Sequence, residues 1–430
     1  MKLSDRYRGK QGARETTFKS HFNTNLKSKS AKRFRLISVD IETKLDLIKK
    51  PPTEEILVES ELRELLETNE HPGHYIGFEI SGLLHLGNLV MAGFKINDFL
   101  KAGINCQVYL ADWHSFINNK FGGDWNKILM ATKYYEKAFR FFCPGAKVVV
   151  GSELYHNNDE YWRNLLRFAK HMTLSRTLRC LTIMGRSETE KLDLSQYFYA
   201  PMQAVDIKAI GADIPHGGMD QRKAHVLARE IFPKMGWKKP VAVHHHLLMG
   251  IAEPAKLETK DKLEQVIASK MSKSKPWTAI FIHDTEEQIR SKLRKAWCPE
   301  KQTEMNPVLE IVKYVIFHEK EAFMVERPSK FGGNITFESY EELEDAYRSG
   351  QLHPQDLKNA VAKDLAEILK PIRLYFENNS EARECLKTVM VAPNIKVKDL
   401  AGASTRKRRE NPPCFRRFGR GICKGNPNNR

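Results

Sequence analysis

Short hydrophobic runs alternate with longer stretches of helical periodicity in the first half of the chain. Three runs, at residues 74–79, 105–111 and 146–151, are apolar on both faces. Between them, residues 84–102 and 125–142 repeat apolar positions with helical spacing. Strands buried on both faces and separated by helices are typical of a doubly wound parallel sheet. The pattern therefore predicts an α/β fold for this part of the chain.

The flanking regions have other patterns. Residues 53–68 are polar with helically spaced leucines, which predicts one helix ending at a His-Pro-Gly turn. Further helices are predicted to about Met235, and residues 240–243 resemble a strand. Residues 284–400 contain amphipathic runs, such as 356–375, without convincing strand alternation. They predict a separate helical domain.

Charge is concentrated at the two ends of the chain. Residues 1–36 carry eleven Lys and Arg against two acidic residues, and residues 401–430 carry nine against one. These surpluses of nine and eight equal the net charge of +17 of the whole chain. Basic tails attract polyanions by counterion release, which favours a nucleic-acid partner, although solvated tails have the same composition. An organelle transit peptide is an open alternative for the N-terminal segment.

We predict four segments from these patterns. They are a basic N-terminal extension at 1–45, an α/β domain at 46–283, a helical domain at 284–400 and a basic tail at 401–430. An apolar fraction of 41% with both charge signs abundant is typical of a globular enzyme. The chain has no apolar run of the roughly 18–20 residues that spans a membrane, and no apolar signal segment. We expect a cytoplasmic protein without a membrane partner.

Two features bear on metal binding. The seven cysteines form no CxxC pair, which indicates a reducing compartment without a disulfide framework. His244, His245 and His246 are consecutive, so on a strand they would point to alternating faces and could not converge on one ion. We therefore predict no metal site in the protein.

A glycine-rich segment, residues 77–88, lies between the first predicted strand and the helix after it. Ligands bind at this edge of an open α/β sheet, where helix N-termini favour phosphates. A tight turn without function has the same composition. A second element, residues 270–274, carries two lysines that could clamp nucleotide phosphates. The order and spacing of the two elements favour nucleotide chemistry over a solvated charge run.

These two elements resemble the signatures of class I aminoacyl-tRNA synthetases. Residues 85–88 (HLGN) resemble the HxGH signature, and residues 270–274 match KMSKS. Asn88 stands where the family usually has histidine, and asparagine can donate a hydrogen bond but cannot become cationic. The resemblance implies a Rossmann-type catalytic domain, a helical anticodon-binding domain, and ATP with Mg²⁺. The implied catalytic residues are His85, Asn88, Lys270 and Lys273.

A third set resembles the archaeal and eukaryotic type of tyrosyl-tRNA synthetases. Residues 199–206 resemble its YxxxQxxD helix, and residues 217–223 match the segment after it. Spacings of four and three place Tyr199, Gln203 and Asp206 on one helical face. The tyrosine-binding residues implied by the resemblance are Tyr75, Glu79, Tyr199, Gln203, Asp206 and Gln221.

The resemblance also divides these residues by role. Tyr75 and Asp206 would hold the phenolic hydroxyl, while Tyr199, Gln203 and Gln221 would hold the ammonium group and backbone of the substrate. A phenylalanine would leave the first two unpaired, which explains selectivity. The implied ATP-binding residues are Gly77, Gly87, Asp112, His114 and Lys273. The implied anticodon-binding residues are Phe331, His353 and Asp356.

The resulting expectation is a tyrosine–tRNA ligase that uses L-tyrosine, ATP and tRNA(Tyr), and that forms a homodimer as the family usually does. A tryptophan-specific enzyme of the same subclass is one alternative. The pair of Asp206 and Tyr75 argues against it, because an indole offers only an N–H donor on a larger ring. A non-catalytic tRNA-binding paralogue is another alternative, against which the intact 270–274 motif argues.

Overall fold

The computed structural model describes residues 40–186, 190–255 and 262–391. The predicted tail at 401–430, and all but the last six residues of the predicted extension at 1–45, lie outside these ranges. Among the described helices, none combines the length and the apolar character needed to cross a bilayer.

A mixed sheet forms the centre of the fold. Its strands are β1 (Thr53–Ile56), β2 (Gly73–Glu79), β3 (Asn105–Ala111), β4 (Lys147–Val150), β5 (Ile214–Gly218) and β6 (Val243–His245). Their spatial order is β1-β6-β5-β2-β3-β4, and all neighbours are parallel except β1, which runs antiparallel to β6. The predicted doubly wound α/β class is confirmed.

Helices pack on both faces of this sheet. Up to β6 they are α1 (Ile41–Lys49), α2 (Glu59–Thr68), α3 (Met91–Lys101), α4 (Asp112–Ile117), α5 (Trp125–Phe142), α6 (Gly151–Tyr155), α7 (Asp159–Ala169), α8 (Leu174–Arg179), α9 (Tyr199–Ala209) and α10 (Arg222–Ile231). A π-helical turn, Leu86–Val90, leads directly into α3. The predicted helix at 84–102 therefore corresponds to two consecutive helical segments.

The region after β6 is mainly helical, with one short hairpin. Its helices are α11 (Lys262–Ser269), α12 (Glu286–Arg294), α13 (Pro307–Ile311), α14 (Phe317–Glu319), α15 (Tyr340–Ser349), α16 (Pro354–Asn378) and α17 (Ser380–Val391). The hairpin pairs β7 (Phe323–Val325) with β8 (Ile335–Phe337). The prediction that this region lacks strands is wrong, because pairing across a nine-residue connection stabilises two runs too short to show a period.

The two faces of β2 explain its uninterrupted apolar character. Ile76 packs into a buried cluster that extends through α3 and α5 to the helices after β6. Its neighbour Tyr75 points to the other face and packs into a cluster with residues of α7, α9 and α10. Because successive strand side chains alternate, each face of β2 has its own core.

Three of the observed strands, β1, β5 and β6, differ from the prediction in kind or position. Residues 53–56 are strand β1 rather than the start of a helix, because they pair with β6 and Leu57 N donates to Ala242 O at 3.0 Å. β5 falls where only helices were predicted, since its sequence, IPHGG, has few β-formers. Pairing with β2 and β6 supplies what its composition lacks. β6 begins at Val243, where the predicted strand ended.

Several polar contacts connect the helical region to the sheet domain, and two of them lie at α3 and α13. Asp98 Oδ2 on α3 lies 3.2 Å from His318 Nε2 on α14, and Met249 N donates to Glu310 Oε2 on α13 at 3.0 Å. The predicted division at residues 283 and 284 stays a prediction.

Candidate active site

A cavity of about 760 Å³ opens at the carboxyl ends of the parallel strands, where ligands bind in open α/β sheets. Its walls come from β2, the glycine-rich turn, α9, the end of β5 and the loop at residues 270–274. Thirteen of the predicted site residues line it: Tyr75, Gly77, Glu79, His85, Gly87, Asn88, His114, Tyr199, Gln203, Asp206, Gln221, Lys270 and Lys273. The fold thus brings three segments, distant in sequence, around one cavity.

The two polar residues of the HLGN segment hold the start of the helix that follows. Gly87 N donates to His85 Nδ1 at 3.2 Å, and His85 N donates to Asn88 Oδ1 at 2.7 Å. Burial lowers the pKa of His85 well below its usual value, and the charges of Lys273 and Lys270 lower it further. A neutral imidazole that accepts at Nδ1 carries its proton on Nε2. His85 is therefore a neutral hydrogen-bond donor.

Lys273 reaches the glycine-rich turn. Its Nζ donates to Ser81 Oγ at 3.0 Å and to the hydroxyl of Tyr135, and lies 5.1 Å from the centre of the Tyr135 ring. Gly82 has a φ of +119°, which favours glycine, and a Cβ there would lie 3.7 Å from Lys273 Cδ. Burial lowers the pKa of Lys273 to about 7, although Glu79 raises it.

Lys270 lies at the end of β5, where its Nζ forms an ion pair of 2.6 Å with Asp220 Oδ2. Burial by itself would raise the pKa of Asp220, but the charge and hydrogen bond of Lys270, together with Gln221 and His245, outweigh burial and lower the pKa. The loop therefore brings Lys273 to the glycine-rich turn and Lys270 to the end of β5. Two cations that approach a cavity from different walls are suited to bind a polyphosphate.

Asp206 is fully buried in a group of tyrosines at the other end of the cavity. Its Oδ1 accepts hydrogen bonds of 2.8 Å from both Tyr155 and Tyr161. Its Oδ2 has no hydrogen-bond partner among the described residues, and the nearest imidazole nitrogen, His114 Nε2, lies 3.6 Å away. Burial raises the pKa of Asp206 to about 7, against the effect of the tyrosine hydroxyls. A buried acceptor without a donor fits a ligand hydroxyl.

Tyr75 faces the same end of the cavity, and its ring centre is 5.8 Å from that of Tyr109. The hydroxyls of Tyr109 and Tyr155 lie 2.5 Å apart, which extends the hydrogen-bonded group around Asp206. Gly77 keeps this space open, since a Cβ there would lie 2.7 Å from the Tyr75 hydroxyl.

The remaining residues of the predicted tyrosine set form a second polar group. Gln203 Nε2 donates to Gln221 Oε1 at 3.0 Å, and Gln203 Oε1 has no partner among the described residues. Tyr199 OH donates to Glu79 Oε1 at 3.4 Å. The expected common face is confirmed, because Tyr199, Gln203 and Asp206 all project from α9 into the cavity.

The two residues after β3 have different surroundings. Asp112 is absent from the cavity lining, and its carboxylate accepts hydrogen bonds from the backbone N–H groups of Trp113 and Ser152 at 2.8–3.2 Å. His114 packs edge-on against Tyr199 at 4.7 Å, beside Asp206. Burial lowers its pKa to about 4, so its ring is neutral. Its contacts are with the tyrosine set, whereas the resemblance implied ATP.

The predicted anticodon residues lie outside the cavity. Phe331 is 60% exposed in the turn Ser329–Phe331, and His353 caps α16 by accepting from Gln355 N at 3.1 Å. Asp356 lies in the first turn of α16. Arg327 connects the turn that carries Phe331 to the segment just before α16, because its side chain donates 2.9 Å hydrogen bonds to Gly333 O and Gln351 O.

The three consecutive histidines contact different partners. His244 Nδ1 lies 2.8 Å from Glu55, His245 Nδ1 lies 2.8 Å from His216, and His246 Nδ1 lies 2.9 Å from Glu54. These divergent contacts match the alternation expected on a strand.

Several cavity residues were missed by reasoning from the sequence: Ser81, Tyr109, Lys120, Asp220 and His245. Asp220 lies in the segment matched to the family, so its position was a usable signal. Tyr155 and Tyr161 carry no local signal, since their contacts with Asp206 span 51 and 45 residues.

Comparisons with known proteins agree with this geometry. Residues 67–370 match the family model of class I tRNA synthetases for tryptophan and tyrosine. A tyrosine–tRNA ligase of Thermococcus sibiricus is 46% identical over 374 residues, which cover 82% of this chain and 100% of that protein.

Two solved structures of tyrosyl-tRNA synthetases are also similar to this chain. The crystal structure of tyrosyl-tRNA synthetase complexed with L-tyrosine from Pyrococcus horikoshii is 47% identical, with a TM-score of 0.76, and covers 81% of this chain and 100% of that one. Tyrosyl-tRNA synthetase from Aeropyrum pernix is 38% identical, with a TM-score of 0.71, over 82% and 99% of the two chains. On this family match, coverage and identity, the chain belongs to the class I tRNA synthetases of the tryptophan and tyrosine group.

Proposed function

We propose that this protein is a tyrosine–tRNA ligase, which activates L-tyrosine with ATP and transfers it to the 3′ end of tRNA(Tyr). The observation that carries the proposal is the unpaired Asp206 Oδ2, buried in the same cavity as Lys270 and Lys273. Two tyrosine–tRNA ligases, from Thermococcus sibiricus and Pyrococcus horikoshii, align over their whole length with 82% of this chain.

The substrate phenol would lie between Tyr75 and Asp206, with its hydroxyl donating to Asp206 Oδ2. The ammonium group would lie near Glu79, Tyr199 and Gln203, where carboxylate and amide oxygens accept its protons. In this arrangement His114 contributes to the tyrosine end, and Asp112 holds the start of α6 through Ser152.

In the first step the tyrosine carboxylate attacks the α-phosphate of ATP, which gives tyrosyl-adenylate and pyrophosphate. A carboxylate is already a nucleophile at neutral pH, so no protein base is required. Neutral His85 donates a hydrogen bond, and Lys270 and Lys273 stabilise the charge that develops on the phosphates. Asn88 has a supporting part, since its side chain holds the backbone of His85.

In the second step a hydroxyl of the terminal ribose of tRNA attacks the carbonyl carbon of the adenylate, and AMP leaves. Gly77 and Gly87 line the cavity without side chains, so the nucleotide can approach the backbone. Among the described residues no group of three or more metal-ligating side chains is found. Mg²⁺ bound to the phosphate oxygens of ATP would supply additional positive charge at the reacting phosphate.

Three further parts of the proposal concern tRNA contacts and the place of action. Phe331, His353 and Asp356 would read the anticodon, with exposed Phe331 stacking on a base. The basic tails would bind the tRNA backbone. A translation enzyme of this type would act in the cytoplasm.

A homodimer fits an aromatic groove at the surface. Trp113, Phe116 and Trp162 are 38–45% exposed and line it together with Trp125. Large exposed aromatics in one patch are typical of protein interfaces. Sedimentation of the wild type and of Trp162→Asp tests this, because only the variant should be monomeric; a monomeric wild type contradicts it.

Pyrophosphate exchange with each of the twenty amino acids, followed by aminoacylation of total tRNA, tests the activity. We expect exchange with tyrosine alone. Exchange with tryptophan would support the alternative enzyme of the group, and no exchange with any amino acid beside retained tRNA binding would support a non-catalytic paralogue.

A further inference from the structure

Three buried histidines form a continuous hydrogen-bonded chain across strands β2, β5 and β6. His74 Nε2 lies 3.1 Å from His216 Nδ1, and His216 Nε2 lies 2.8 Å from His245 Nδ1. Their exposures are 0%, 1% and 5%. The first ring packs on Phe99 at 4.5 Å, deep in the core, whereas the last ring lines the active-site cavity. The chain therefore connects the core to the cavity.

Both nitrogens of the middle ring are engaged, which couples the proton positions of all three rings. Burial lowers the pKa of His74 to about 3 and that of His245 to about 4, and it lowers the pKa of His216 well below its usual value. Each ring is therefore neutral and carries one N–H. Because His216 must donate through one nitrogen and accept through the other, the hydrogen bonds of the chain run in a single direction.

The buried end selects that direction. His74 Nδ1 is buried without a hydrogen-bond partner among the described residues. The positive charge of Lys95 adds to burial in lowering the pKa of this ring, which favours its neutral form. Among buried groups, an N–H without an acceptor is rarer than an under-satisfied acceptor, so the unpartnered Nδ1 is the nitrogen that carries the lone pair. His74 therefore donates from Nε2 to His216, which donates from its own Nε2 to His245 Nδ1.

His245, at the cavity end of the three hydrogen-bonded histidines, is then a fixed hydrogen-bond donor. With Nδ1 accepting, His245 carries its proton on Nε2, the nitrogen that lies near Gly218 at the end of β5. A Cβ at Gly218 would lie 2.9 Å from Asp220 Oδ1 and 3.6 Å from His245 Nε2, so only glycine leaves this corner open. Asp220 forms the ion pair with Lys270 here. The corner thus presents a neutral donor beside the lysine assigned to the phosphates.

We propose that His245 Nε2–H donates a hydrogen bond to an oxygen of the bound ATP, and that His216 and His74 are positioning residues that keep the proton on that nitrogen. The inference rests on the proposed ATP-dependent activation of tyrosine. It assigns to the nucleotide a binding residue that neither signature motif contains.

The proton position can be tested without substrate or activity. In protein labelled with ¹⁵N-histidine, the ring nitrogens of His245, assigned by comparison with His245→Gln, should show protonated Nε2 and unprotonated Nδ1. In His216→Leu, the loss of the middle ring should give His245 averaged shifts of both tautomers. Protonated Nδ1 in the wild type, or an unchanged tautomer in His216→Leu, contradicts the positioning role. These outcomes do not depend on whether tyrosine is activated.

Kinetics test the contact itself, with two variants as a matched pair. The amide nitrogen of His245→Gln replaces the Nε2–H donor, whereas His245→Met fills the space without one. We expect His245→Met to raise the KM for ATP in pyrophosphate exchange roughly 10-fold, with the KM for tyrosine unchanged and with His245→Gln close to the wild type. An unchanged KM for ATP in His245→Met, or equal damage in the two variants, overturns the proposal.

Replacing ATP by 2′-deoxyATP identifies the oxygen. If the ribose 2′-hydroxyl accepts the bond, His245→Met should abolish the difference between the two nucleotides. If a phosphate oxygen accepts it, the variant should weaken both nucleotides by the same factor. Either result supports the contact, whereas a loss confined to tyrosine contradicts it.

Discussion

The ammonium group of Lys273 lies 3.0 Å from the hydroxyl oxygen of Ser81, although 192 residues separate the two in the sequence. The contact joins the loop at 270–274 to the glycine-rich turn and makes one cavity wall from two motifs. Burial lowers the pKa of Lys273 to about 7, so the protein by itself disfavours the charged form of this lysine. Anionic phosphates should raise the pKa again, so the full charge returns when ATP binds.

Lys273→Ala should depress adenylate formation while tyrosine binding stays nearly intact. Loss of one group that stabilises transition-state charge costs roughly 100- to 1000-fold in rate. Single-turnover adenylate formation and the tyrosine Kd measure the two effects separately. Lys275→Ala, at an exposed lysine two residues away, is the control and should retain activity. Equal losses of binding and rate in Lys273→Ala would argue against the assigned role.

Tyrosine affinity should fall as pH is lowered through about 7, the pKa to which burial raises Asp206. Above that pH the Asp206 carboxylate accepts a hydrogen bond from the phenolic hydroxyl of tyrosine. Below it, protonation removes the negative charge of Asp206, and the affinity for tyrosine falls by at most about tenfold per pH unit. Titration calorimetry between about pH 6 and 9 measures this dependence.

The same experiment on Tyr161→Phe tests the hydrogen bond from Tyr161 to Asp206. The hydroxyl of Tyr161 lowers the pKa of Asp206, so its removal should move the midpoint to higher pH. Tyr340→Phe, in α15, is the control and should leave the midpoint in place. A midpoint that moves to lower pH in Tyr161→Phe is incompatible with this account.

Lys95→Met should destabilise the fold. The fully buried Lys95 Nζ lies 2.9–3.2 Å from four acceptors, which share its three N–H groups: the carbonyl oxygens of Leu47, Ile48 and Lys50 at the end of α1, and Asp98 Oδ2. Removing one partner of a buried ion pair costs about 3–5 kcal/mol, because the other charge remains buried. Urea unfolding measures the loss. Lys101→Met is the matched control, since this exposed lysine lies 3.9 Å from the same carboxylate; a similar loss in both variants contradicts the prediction.

Phe331→Ala should reduce aminoacylation and spare pyrophosphate exchange, because Phe331 lies outside the cavity. Loss of one base-stacking aromatic costs about 1–3 kcal/mol, which is roughly 5- to 150-fold in kcat/KM for tRNA. Met324→Ala, at a half-exposed residue of β7, is the control. If exchange falls in parallel with aminoacylation, Phe331 acts on the fold and not on tRNA.

Much of the site depends on residues that are close in sequence, and these parts were predictable. The face shared by Tyr199, Gln203 and Asp206 follows from helical spacing alone. The 270–274 loop and the HLGN turn are contiguous motifs, and β3 and α5 have the predicted bounds because each has a strong period of its own. Local pattern decides such elements without reference to the rest of the chain.

By itself, the sequence determined the α/β class, the two signature motifs and the spacing of α9, since each depends on neighbouring residues. Only the tertiary structure decided that residues 53–56 and 214–218 are strands, because their hydrogen-bonding partners come from distant parts of the chain. It also decided that Tyr155 and Tyr161 orient Asp206 and that three histidines form one chain across the sheet. Contacts between residues far apart in the sequence produce no periodic pattern in the sequence, because only the packing of the folded protein brings these residues together.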